Sequence, residues 1–177
     1  GVDMFKRKIY DKILAWKKES DGRTALLIEG ARRIGKTTIV EEFAKNEYEN
    51  HVIIDFSKTT KEFNEIFKDL LDMEDFFARL FLALKRARLP KGSLIIFDEV
   101  QFCPQARQAI KHLVADGRYH YIETGALISI KENVKDILIP SEEEAIQMCP
   151  LDYEEFLWAF GMQEEADRIR EQYSASR

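Results

Sequence analysis

The chain has 177 residues, 45% hydrophobic and 33% charged, which suits one domain with a substantial buried core and excludes a disordered chain. No apolar run approaches the ~20 residues that cross a bilayer, and a net charge of −5 opposes a general affinity for nucleic acid, which rests on basic surface. Two cysteines, Cys103 and Cys149, give no disulfide framework and fit a reducing cytoplasm as small buried thiols.

Gly1 to Asp3, ahead of Met4, read as an expression remnant and stay outside the fold reasoning. The charged start, GVDMFKRKIYDKILAW, is no secretory signal. Phe5, Ile9, Ile13 and Trp16 recur at helical spacing, so Met4 to Glu19 is expected to be an amphipathic helix stopped by Ser-Asp-Gly. ALLIEG follows as a short apolar strand with a glycine exit, then the helix KTTIVEEFAKN and a second strand, HVIIDFS. Two helical segments carry Phe63, Ile66, Phe67 and Leu70, then Phe76, Phe77, Leu80, Phe81 and Leu84, spaced as buried helix faces are. LIIFDEV is a third strand, and Pro104 opens a helix in whose first turn its missing amide donor is harmless. Asp116-Gly117 ends that helix, YHYIETG is a fourth strand, and Ala145 to Met148 a weaker fifth. LDYEEFLWAFG is a helix stopped at Gly161, and 162–177 a polar helical tail. Strands separated by helices pair in parallel through right-handed crossovers, so the expected fold is a three-layer α/β domain over 4–161.

The junction of the first strand and its helix carries the clearest chemistry. Gly30-Ala31-Arg32-Arg33-Ile34-Gly35-Lys36-Thr37 fits G-x-x-x-x-G-K-[ST] at every fixed position. In such a loop consecutive backbone N–H groups, here from Gly30 to Thr38, wrap a triphosphate. That curl is open only where side chains are absent, hence Gly30 and Gly35. Lys36 reaches the β- and γ-phosphates, the helix N-terminus adds partial positive charge, and Thr37 offers a hydroxyl to Mg²⁺. A dinucleotide fingerprint is excluded, because Gly30-Ala31-Arg32 lacks the G-x-G step.

A phosphate loop needs an acid at the tip of a buried strand, and SLIIFDEV supplies Asp98 and Glu99 after four apolar residues. Asp98 is the candidate for holding hydrated Mg²⁺ and Glu99 for the base that takes a proton from, or orients, the attacking water. Thr124, in YIETGAL, is either a γ-phosphate or water contact or an ordinary helix cap. Asp55 is either a partner of the Glu99 network or a strand-terminal turn residue. Arg32, Arg33, Arg107 and Arg118 are candidate charge-stabilising arginines, for each of which a solvated surface position is the stronger expectation. His51, His112 and His120 form no metal-binding spacing with the cysteines.

GARRIGKT, LIIFDEVQ, YIETGALIS and PLDYEEFLWAFG together resemble the AAA superfamily of P-loop ATPases, over nearly the whole span from Ile9 to Phe160. The likeness is to a prokaryotic group in which an N-terminal P-loop core precedes a C-terminal domain of unknown function. It implies a five-stranded, mainly parallel sheet in the order 5-1-4-3-2, Asp98 on Mg²⁺, Glu99 as catalytic base and Thr124 as the polar sensor. The sequence departs from the family in lacking a recognisable helical lid with its sensor arginine. The chain therefore resembles the ATPase core of a longer protein, with 162–177 as the start of the remainder.

The expected activity is Mg²⁺-dependent ATP hydrolysis coupled to a conformational change, with a slow ATP-dependent switch of little turnover as the alternative. Glu99 beside Asp98 argues against a small-molecule kinase, since a base placed for water favours hydrolysis. Guanine specificity lacks its Asn/Thr-Lys-x-Asp signature. Expected partners are the C-terminal domain of the same protein and a second copy of the chain. No feature supports a membrane or nucleic acid partner.

Overall fold

A computed structural model describes residues 2–30, 35–126 and 143–147. Helix α1 (Val2–Ser20) leads into β1 (Ala25–Glu29), α2 (Lys36–Glu47) and β2 (His51–Asp55). Next come α3 (Lys61–Glu65), a 3-10 turn (Ile66–Lys68), α4 (Met73–Ala83) and β3 (Leu94–Asp98). A second 3-10 turn (Val100–Phe102), α5 (Pro104–Asp116), β4 (His120–Gly125) and β5 (Glu143–Gln147) complete the described elements. Helix α1 starts at Val2, so Val2 and Asp3, set aside ahead of Met4, are part of it. The fifth strand begins two residues earlier than its apolar residues suggest, because its first positions are glutamates.

Among the described residues all strand pairings are parallel, in the order β2-β3-β4-β1-β5. Taken from the other edge, this is the 5-1-4-3-2 order that the resemblance implied. Strands β1 and β3 are not neighbours, because β4 lies between them and brings its C-terminal end to both.

Alternation divides the sheet into two buried faces. Leu26, Ile28, Leu94, Ile96 and Ile122 pack with Ile9, Ile13 and Trp16 of α1 and Ile39, Val40 and Phe43 of α2. Ala25, Leu27, Ile95, Phe97 and Tyr121 face the other way, onto Phe76, Phe77, Leu80 and Phe81 of α4 and Ala106, Ile110 and Leu113 of α5. The phenylalanine-rich segment is therefore core, with Phe67, Phe76, Phe77 and Phe81 at most 2% exposed. It is less continuous than the spacing suggests. Thr60 caps α3 by accepting from Phe63 N, the chain tightens into a 3-10 turn, and Asp72 caps α4 by accepting from Asp75 N.

Local chemistry fixes the remaining ends. Lys17 donates to Glu47 O at 2.7 Å and lies 4.4 Å from the Tyr48 ring centroid, tying α1 to the C-terminal end of α2. Pro104 opens α5 and Gly117, at φ 78°, closes it in the left-handed conformation that glycine adopts without strain. Among the described residues no helix is long and apolar enough to cross a membrane.

Candidate functional site

In a parallel sheet every strand delivers its C-terminal end to the same edge, so Gly30, Asp55, Asp98 and Thr124 arrive together although they are scattered in sequence. The ladder continues past the strand ends. Gly30 N donates to Gly125 O at 3.1 Å and Phe56 N to Asp98 O at 2.9 Å, which fixes where each loop begins.

Asp98 continues the face of Leu94 and Ile96, and Thr124 that of Ile122, so both side chains emerge on the α2 side. There Thr37 Oγ1 donates to Asp98 Oδ1 at 2.9 Å and Thr124 Oγ1 donates to the same oxygen at 2.6 Å. Asp98 is 5% exposed and Thr124 fully buried. The Thr124 hydroxyl also works as an acceptor, taking a hydrogen bond from Glu99 N at 2.9 Å. That bond holds Glu99 in a left-handed backbone conformation, φ 55° and ψ 50°, which a non-glycine residue adopts at a cost of about 1–3 kcal/mol. The Glu99 carboxylate in turn accepts from Gln101 Nε2 at 2.6 Å.

Lys36, only 3% exposed, donates from Nζ to Gly30 O at 2.8 Å, across the mouth of the loop. Gly35 stands at φ 92° before α2, whose first turn carries no acidic residue to offset its dipole. Thr38 is exposed on that turn. Ala31, Arg32, Arg33 and Ile34 lie outside the described residues, as do Cys149 and the segments 151–161 and 162–177.

The structure separates the other candidates. Asp55 accepts from Ser57 N at 3.0 Å and Ser57 Oγ at 2.6 Å, the pattern of a strand-terminal turn rather than a partner of Glu99. Arg118 sits where α5 returns to β4, at the opposite edge of the sheet. It pairs with Glu74 at 2.7 Å and Asp116 at 2.8 Å and lies 4.8 Å from the Phe77 ring centroid. Arg107 is not a surface residue. It is 8% exposed and donates to Glu143 Oε1 of β5 at 2.8 Å. Cys103 is a fully buried free thiol, which burial pushes upward in pKa.

Sequence reasoning missed two features. One is Gln101, which had no assigned role. The other is a buried acidic group on the α5 face: Glu29 and Glu123 are 0% exposed and Glu143 8%. Burial, and then the neighbouring Glu143 carboxyl, raises the Glu123 pKa well above the carboxylate range, with Glu29 adding to the effect and Arg107 opposing it. Among the described residues no donor reaches either Glu123 oxygen. Burial and the neighbouring carboxyls thus favour the neutral form of Glu123 beneath a sheet edge that already carries Asp98 and Glu99. A glutamate inside each of two apolar strands, ALLIEG and YIETG, was the available signal.

The family described as "AAA domain" matches residues 22–157, more than half of the chain. The chain belongs to the AAA domain family. As an AAA-superfamily P-loop ATPase core, it is similar in fold to the Aeropyrum pernix Orc1 protein in complex with DNA, at 14% identity and TM-score 0.54 over 94% of this chain and 49% of that one. It is also similar to a chain of Drosophila ORC bound to DNA, at 10% identity and TM-score 0.50 over 88% of this chain and 98% of that one. Both are likenesses of fold. A stretch of 100 residues is 29% identical to small ribosomal subunit protein uS4 of Phytoplasma mali (strain AT), covering 52% of this chain and 50% of that protein. The AAA core thus spans about half the length of the curated relative and of the Aeropyrum chain.

Proposed function

We propose that this AAA core binds ATP with Mg²⁺ at the C-terminal edge of the sheet and hydrolyses it, coupling hydrolysis to a conformational change. The observation that carries the reading is the meeting of three separate motifs on one carboxylate oxygen, where Thr37 and Thr124 both donate to Asp98 Oδ1. A turn built only to end three strands has no need of two hydroxyls on one acid.

The donor set suits magnesium, which takes hard oxygen ligands, few of them from protein. Thr37 and Asp98 would hold it, and when bound it supplies positive charge to the β- and γ-phosphate oxygens. The chain's own residues do the rest. Backbone N–H groups from Gly30 to Thr38 cradle the phosphates at the N-terminus of α2. Lys36 exchanges the Gly30 carbonyl for phosphate oxygens, and Thr124 holds Asp98 and the Glu99 backbone in register. Glu99 orients the attacking water and takes its proton as the bond from γ-phosphorus to the leaving oxygen breaks.

The charge that completes phosphoryl transfer is supplied from outside the described core. Arg107 is engaged by Glu143 and Arg118 stands at the far edge of the sheet, and an arginine supplied in trans is worth ~10³–10⁵ in rate. A further C-terminal region of the same protein, or a second copy, fits that need. The second reading, a slow switch, is favoured by the same observation, since a site without this charge binds nucleotide better than it turns it over. The DNA in the two structural neighbours belongs to those proteins; on this chain, with net charge −5, it is not an expected partner.

Phosphate release from ATP, measured with and without Mg²⁺ across a range of protein concentrations, tests the reading. Mg²⁺-dependent turnover that rises with self-association, or on restoring the rest of the protein, is expected. Turnover indifferent to Mg²⁺ refutes it.

A further inference from the structure

Gln101 lies two residues beyond Glu99, in the 3-10 turn Val100–Phe102 that joins β3 to α5. Its Nε2 donates to Glu99 Oε2 at 2.6 Å, and a hydrogen bond to an ionised carboxylate is roughly twice as strong as one between neutral groups. A carboxylate offers only acceptors, so the carboxamide must present its nitrogen to Glu99 and its oxygen away from it. That oxygen, Oε1, is buried and has no hydrogen-bond partner among the described residues. Leaving such an acceptor unsatisfied costs folding free energy, and packing alone gives no return for it, since an aliphatic side chain of the same reach would fill the space without loss.

The Glu99 backbone is pinned independently, by Thr124 Oγ1 at 2.9 Å. One residue therefore fixes the main chain of Glu99 and another, Gln101, its carboxylate. A glutamate side chain has three rotatable bonds, so a base at this position without such a restraint would sample many orientations.

We propose that Gln101 is a positioning residue for the hydrolytic step. Its Nε2 holds one Glu99 oxygen and leaves the other for the attacking water. This inference rests on Glu99 acting as the base.

The test is ATP turnover and nucleotide affinity of the parental chain, Gln101→Ala, Gln101→Glu, Glu99→Gln and the Glu99→Gln/Gln101→Ala double variant, each checked for folding by circular dichroism. Gln101→Ala should lower kcat roughly ten- to a hundredfold, the scale of a misplaced reacting group, with KM and nucleotide affinity within about twofold of the parent. Gln101→Glu should lower kcat further, because it replaces the donor by a second carboxylate against Glu99. In the Glu99→Gln background Gln101→Ala should cost nothing more, since it acts only through Glu99; a structural role would cost the same in both backgrounds. With all variants assayed at a protein concentration at which the parent hydrolyses ATP, a Glu99→Gln that turns over at the parental rate means the base reading fails, and this inference falls with it. If Glu99→Gln is crippled while Gln101→Ala and Gln101→Glu both keep the parental kcat, or Gln101→Ala costs as much in the double variant, the base stands and Gln101 is no positioning residue.

Discussion

Glu123→Gln should make the folded chain more stable at neutral pH and less sensitive to pH. In the folded state burial, reinforced by the Glu143 carboxyl and by Glu29, holds the Glu123 proton well above the ordinary 4.5, while Arg107 of α5 opposes this without reversing it. The sign follows from proton counts. Above the ordinary value the unfolded chain releases this proton while the folded chain keeps it, so the stability it contributes is complete below 4.5 and is lost as pH rises toward the folded value. Each pH unit inside that window costs about 1.4 kcal/mol. For a chain of this size that is roughly 3–6 °C in Tm per pH unit, at ~2–4 °C per kcal/mol. His51 and His120, whose pKa values burial lowers, pull stability the other way up to 6.5, but they are common to parent and variant. The difference curve therefore isolates Glu123. Melting by circular dichroism between pH 5 and 8 should show the variant's advantage over the parent growing with pH. Parallel curves would refute the claim that Glu123 is carried neutral beneath the site.

Glu99→Gln should retain nucleotide affinity in a fluorescence titration while hydrolysis falls roughly 10²–10⁴-fold, the scale of a lost general base. Arg107→Ala strands the buried carboxyl of Glu143 and should cost about 3–5 kcal/mol in urea unfolding. Phe77→Ala, at a fully buried α4 residue packed against Tyr119, should cost about 3–5 kcal/mol in the same assay; a loss below about 1 kcal/mol, the scale of a surface change, would mean that α4 is not core.

What could be read from the sequence is what rests on fixed residue types. Gly30, Gly35, Lys36 and Thr37 stand where strand exit, tight curl and helix start each require them, and Asp98 is conspicuous after four apolar residues. The buried faces of α1 and of the segment that includes α4 were readable because both repeat apolar residues at helical spacing. What could not be read depends on pairing across the sheet. Arg107 on an amphipathic helix looks like a solvated residue until β5 brings Glu143 beneath it. Glu29 and Glu123 are ordinary polar letters in their own strands, and only adjacency of β4 and β1 makes them neighbours. The order of strands came from resemblance rather than periodicity, since nothing in β4 itself says that it inserts between β1 and β3. Gln101 carried no signal because its role lies in a side-chain direction set by a turn of three residues.

The central claim is that the strand edge around Lys36 and Asp98 is an ATP site, and titration of Mg²⁺-ATP against the folded parent and Lys36→Ala tests it most directly. The buried ammonium of Lys36 is the cation placed to meet the phosphates, so its removal should abolish most of the binding, with adenosine alone bound weakly by both proteins. Equal affinity of the parent and a correctly folded Lys36→Ala for Mg²⁺-ATP would contradict the account.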